Sequence, residues 1–107
     1  MTPEEKLQKL KEKCENAGFR YAYGKFEEET PPPHLVAKIM DTDNFMADNK
    51  TYYSPIPIKL DHTYITKNME EQNKIENEIL GDIAWNKTEE TYLQDEEVWQ
   101  VNYFFEI

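Results

Sequence analysis

The sequence predicts an α+β domain: a two-layer sandwich with element order α-β-β-β-α-β-β and two helices on one face of a mostly antiparallel sheet. Three observations predict it. Two segments, at 2–18 and 66–81, repeat apolar residues at spacings of three and four and close on Gly18 and Gly81. Three others, at 34–41, 51–63 and 98–107, alternate apolar and polar residues at period two. Pro, Gly, Asn and Asp collect between these segments, where the chain must turn. The 107 residues form one domain, 1–107, because a domain takes roughly 100 to 200 residues and halves would be too small to bury a core.

The first helix has a marked entrance. Thr2 caps it, Pro3 suits the first helical position, and Glu5 completes a capping box. Leu7, Leu10 and Cys14 form a narrow apolar stripe, so most of the helix circumference is wet, and Gly18 is the stop. Phe19–Phe26 alternates aromatic and polar residues as a short strand would. The run EEETPPP at 27–33 is a loop, since consecutive prolines cannot join a ladder. In the strand His34–Asp41, Leu35, Ala37 and Ile39 share one face. Asp41–Lys50 is a polar connection, and Thr51–Thr63 is a strand with Ile56, Ile58 and Leu60 inward, biased towards an edge by Pro55 and Pro57. The second helix covers Thr66–Leu80 with a stripe of Met69, Gln72, Ile75, Ile79 and Leu80. A short strand at Ile83–Lys87, an acidic loop at Thr88–Glu97 and a strong strand at Val98–Ile107 complete the chain. In that last strand Trp99, Val101, Tyr103, Phe105 and Ile107 share one face, and Gln100, Asn102 and Glu106 share the other with Phe104.

Composition excludes several trades. Against 12 basic residues stand 22 acidic ones, for a net charge of −10, which opposes gripping phosphates, an affinity that comes from Lys and Arg. The charge is uneven: residues 1–66 hold 11 acids and 9 bases, residues 67–107 hold 11 acids and 3 bases. Glu89, Glu90, Asp95, Glu96 and Glu97 make the candidate acidic face. Cys14 stands alone, Met1–Lys13 is charged throughout, and no apolar run approaches the roughly 20 residues that cross a bilayer. The expectation is a soluble protein of a reducing cytosol, with no membrane partner.

No catalytic signature emerges. Ser54 in YYSPIP lacks a nucleophile elbow, Cys14 lies on the apolar stripe, and His34 and His62 each read as surface or strand-end residues, short of the converging ligands a zinc site needs. Asp41, Asp43 and Asp48 resemble the opening of a calcium loop, yet Met46 and Tyr52 occupy the positions that require Gly and Glu. Gly18, Gly24 and Gly81 are isolated, so no loop cradles phosphate. The expectation is no enzyme, no cofactor and no metal. Seven Tyr, five Phe and two Trp exceed what one small core needs, and Tyr and Trp suit an interface. Tyr52, Tyr53, Trp85, Tyr92 and Phe104 are the candidate contact residues.

Spread over nearly the whole chain are Ala22-Tyr23 with Phe26, the Pro31-Pro32-Pro33 entry to a strand, Asn44-Phe45, Ala47-Asp48-Asn49-Lys50, Tyr52-Tyr53, the acidic second helix and the Val101, Tyr103, Phe105, Glu106, Ile107 ending. In order and spacing these resemble small head-tail junction proteins of phages and prophages of Gram-positive bacteria, of tail-completion or tail-terminator type. The resemblance implies a structural role: a subunit that forms a ring, usually a hexamer, on the tail end, contacting tail-tube and head-completion proteins in the host cytoplasm and then in the virion. The strands at 51–63 and 98–107 are the expected pairing edges of such a ring, and the acidic face would repel DNA from its lumen. The alternative is a small acidic inhibitor or DNA mimic that occupies a host protein.

Overall fold

A computed structural model describes residues 2–40 and 55–107. The first helix, α1, spans Pro3–Asn16 and opens as its sequence dictates. The Thr2 hydroxyl accepts from the Glu5 amide at 3.1 Å and the Glu5 carboxylate accepts from the Thr2 amide at 3.3 Å. This reciprocal pair satisfies amides that a first turn leaves bare and contributes about 1 kcal/mol. The helix closes with the Phe19 amide on the Cys14 carbonyl at 3.1 Å and the Gly18 amide on the Glu15 carbonyl at 3.0 Å, a geometry that needs Gly18 at φ +92°. Leu10 and Cys14 are buried and Leu7 packs beside them.

Six strands form one sheet among the described residues: β1 (Arg20–Tyr23), β2 (His34–Ile39), β3 (Pro57–Tyr64), β4 (Trp85–Lys87), β5 (Thr91–Leu93) and β6 (Val98–Glu106). The order is β1-β2-β3-β6-β4, with β5 also on β6. Only β1 and β2 run parallel. The registers Leu35 to His62, Ala37 to Leu60, Leu60 to Tyr103 and His62 to Val101 set the inward residues of three strands side by side. They form one core with α1 and the second helix, so the α+β architecture with both helices on one face stands. On the other face, Asn102 donates to Asp61 at 2.5 Å and Gln100 donates to Thr63 at 3.3 Å, a polar row across β3 and β6.

The second helix, α2, runs Met69–Lys74 and continues into a single π turn at Ile75–Ile79. It starts three residues later than its periodicity predicts, because Asn68 caps it by accepting from the Glu70 amide at 2.9 Å. Met69 consequently stands in the first turn and is exposed rather than in the stripe. In an α-helix Leu80 would lie about 140° around the axis from Ile75. The wider turn, with the Leu80 amide on the Ile75 carbonyl at 2.9 Å, brings Leu80 back above Ile75, and both are fully buried with Ile79.

Three expectations are corrected. The stretch 88–97 is no simple loop: Thr91–Leu93 pairs with Val98–Gln100 as β5. The strands expected at pairing edges are the two interior ones, since β3 lies between β2 and β6, and β6 lies between β3 and the β4–β5 pair. Pro57 is tolerated there because it is the first residue of β3. His62 is neither exposed nor at a strand end; it is 1% exposed inside β3. The connection 41–50, with Asp41, Asp43 and Asp48, and Thr51–Ser54 lie outside the described residues.

Candidate functional site

Where β3 ends and β6 begins, register sets Tyr64 beside Trp99 and Trp99 beside Tyr92. Three aromatic side chains therefore stand in a row across β3, β6 and β5. Exposure rises along the row, from 1% at Tyr64 to 38% at Trp99 and 44% at Tyr92. The Tyr92 and Trp99 ring centroids are 5.1 Å apart with their planes at 59°, a tilted contact that the ring quadrupoles favour.

Two buried phenols, Tyr64 of this row and Tyr103 further along β6, are satisfied in the same way. Tyr64 donates to Glu90, which also accepts from Lys67. Tyr103 donates to Glu76 at 2.8 Å, and Lys87 donates to the same oxygen at 2.7 Å. A buried hydroxyl without a partner costs about 1 to 3 kcal/mol, and each carboxylate removes that cost while its lysine balances the charge. Burial, reinforced by the carboxylate, pushes both phenols above the ordinary tyrosine range. The Lys67 ammonium, with help from the Tyr64 hydroxyl, holds Glu90 below the usual carboxylate range.

His62 lies between the rings of Phe19 and Tyr64, at 5.8 and 4.8 Å between centroids. Its Nε2 is 3.1 Å from a Glu71 oxygen, and its Nδ1 has no partner among the described residues. Burial pushes the imidazole down to about 4 and the Glu71 carboxyl up. A neutral ring therefore donates Nε2–H to Glu71 and keeps a bare lone pair on Nδ1. Pro32, Pro33, Tyr64, Ile65, Met69 and Glu71 line a groove beside this pair, but His62 does not reach its wall. Among the described residues no three His, Cys, Asp or Glu side chains converge to hold a metal. Cys14 is fully buried and its thiol is pushed up to about 12 by that burial, so it stays protonated.

The structure divides the residues expected at an interface. Tyr92 is exposed on β5, whereas Trp85 is half-buried against Tyr103 at 5.6 Å and forms part of the core wall. Phe104 is half-buried on the opposite face, across from Lys59 and Asn86. Tyr52 and Tyr53 lie outside the described residues. Of the acidic residues, Asp95, Glu96 and Glu97 share the exposed β5–β6 turn and Glu89 is exposed before β5, but Glu90 turns inward to Lys67 and Tyr64. Trp99, read from sequence only as part of the apolar face of the last strand, is 38% exposed beside Tyr92 and joins it as a candidate contact residue. Its signal was its place two residues after the acidic turn, near the start of the last strand. Compared with family models, curated proteins and solved structures, the chain matches none. No helix among the described residues is long and apolar enough to cross a membrane.

Proposed function

We propose that the chain is a structural subunit of a phage or prophage head-tail junction, of tail-terminator or tail-completion type, that works by ring assembly and protein contacts rather than by catalysis. The observation that supports this reading best is the Tyr92–Trp99 pair, two interface-prone aromatics, one on the edge strand β5 and one beside it at the start of β6, each with more than a third of its surface open. The outer edges of β1 and of β4 and β5, which have no further strand beside them among the described residues, offer backbone for a neighbour to pair with. Partners in this reading are further copies of the chain, the tail-tube protein and the head-completion protein, met in the host cytoplasm and kept in the virion tail. The rival reading, an acidic mimic of DNA, is weakened by Glu76 and Glu90, which are already neutralised by Lys87 and Lys67.

Capture on tagged chain from cells making the phage tail genes tests the proposal. Tail-tube subunits are expected in stoichiometric amount, with Tyr92→Ala and Trp99→Ala lowering capture about tenfold or more while leaving the fold intact. Capture of a host nuclease or polymerase in their place overturns it.

A further inference from the structure

Three lysines of α1 share one side of the helix. Lys6, Lys9 and Lys13, at helical spacings of three and four, line a groove whose floor is Leu10, Ile83 and Ile107, and Lys9 also borders the neighbouring flank that holds Glu4, Glu5 and Glu12. The groove encloses about 210 Å³, with Glu106 also on its wall. Lys6 donates to the Ile107 carbonyl at 3.2 Å, and none of the three lysines has a carboxylate within ion-pair distance among the described residues. On a chain of net charge −10, a groove with three lysines against one glutamate over an apolar floor suits an acidic occupant.

The chain carries such an occupant at the other end of β6. The four-residue turn from β5 to β6 presents Asp95, Glu96 and Glu97 to solvent, and the Glu96 and Glu97 amides donate to the Leu93 carbonyl at 3.2 and 2.8 Å. The turn therefore has a fixed shape, next to the exposed Tyr92 and Trp99. The nine residues of β6 separate turn from groove by about 27 Å, so one chain cannot fold its own turn into its own groove. We infer that the lysine groove between α1 and the end of β6 receives the acidic β5–β6 turn of a second copy. Turn and groove are different surfaces at opposite ends of one strand, so the contact can repeat head to tail into a closed ring or an open filament, or close reciprocally between two antiparallel copies. The inference deepens the assembly reading by naming the contact between copies.

Light scattering behind size-exclusion chromatography on the purified full chain tests it. The mass is expected to rise with concentration at low ionic strength and to fall towards that of the monomer at high salt. K6E/K9E/K13E and D95K/E96K/E97K are each expected to weaken association about tenfold or more, and mixing the two restores it because the reversed charges match again. Circular dichroism checks that each variant folds. Should one not fold, K6Q/K9Q/K13Q mixed with D95N/E96Q/E97Q gives a one-to-one pair and nothing larger. A parent that stays monomeric throughout, or a lysine variant that assembles as the parent does, overturns the inference. Because only the purified chain is used, failure here alongside successful capture of tail-tube protein would remove these two surfaces and leave the assembly reading standing.

Discussion

Gly18, Gly81 and Glu97 show how single residues set turns for different reasons. Gly18 holds φ +92°, so Gly18→Ala is expected to lose about 1 kcal/mol through backbone strain alone. Gly81 is constrained by space: an added Cβ would lie 2.4 Å from the Asn77 carbonyl oxygen, and Gly81→Ala must shift the π turn and should cost more. Glu97 is a non-glycine residue at φ 57°, and Glu97→Gly is expected to raise stability by about 0.5 kcal/mol. Thermal denaturation reads all three, at about 5 °C per kcal/mol for a domain of this size. His62 sets a pH dependence. Its folded form titrates near 4 and an ordinary imidazole near 6.5, so between those values the unfolded chain binds the extra proton. Stability should therefore fall as pH drops from about 6.5 to about 4, by up to about 3 kcal/mol. His34, also lowered chiefly by burial, acts in the same direction, and Glu71, which is raised, acts against it. Denaturant titrations across that range should show the slope in the parent and a flatter profile in His62→Phe; equal slopes would mean His62 does not carry it.

At the scale of elements, patterns that depend on one face of one segment were legible in the sequence. The capping box of α1, its stripe and stop, the inward triplet of β2 and the long alternation of β6 all stand as read. Elements that depend on contacts between segments were not. Nothing in Thr91-Tyr92-Leu93 distinguishes three residues of strand from a loop, because β5 exists only by pairing with the start of β6. The prolines suggested an edge strand, but the first position of a strand tolerates proline anywhere in a sheet. Nor does helical periodicity show the π turn, whose purpose is visible only against the sheet that Leu80 faces. The paired Tyr–Glu–Lys clusters belong to this scale as well, since each joins the sheet to α2 or to the arm between β4 and β5. Tyr64→Phe and Tyr103→Phe should each lose about 1 kcal/mol in denaturant unfolding, one hydrogen bond to a carboxylate that keeps its lysine. An unchanged midpoint in either variant would mean that the cluster adds nothing to the packing of its ring.

For the whole molecule, the sequence showed how much acid the chain carries but not where it points. Counting located the excess after residue 66; folding then divided it, pairing Glu76 and Glu90 with lysines and leaving Asp95, Glu96 and Glu97 on one turn. The aromatic surplus divided the same way, into phenols that brace the core and the Tyr92–Trp99 pair at its margin. The candidate site was thus legible as a composition, and only the register of β3, β5 and β6 made it a place. That register has a further consequence for the chain's birth. β6 is the last element in sequence, yet it bridges β3 to both β4 and β5, so the sheet cannot close until residue 106 has left the ribosome. At about 5 to 20 residues per second, a nascent chain spends several seconds with one whole flank of β3 unpaired. The Tyr92–Trp99 contact and the lysine groove both depend on β6 or the residue after it, so neither exists before that strand has been made.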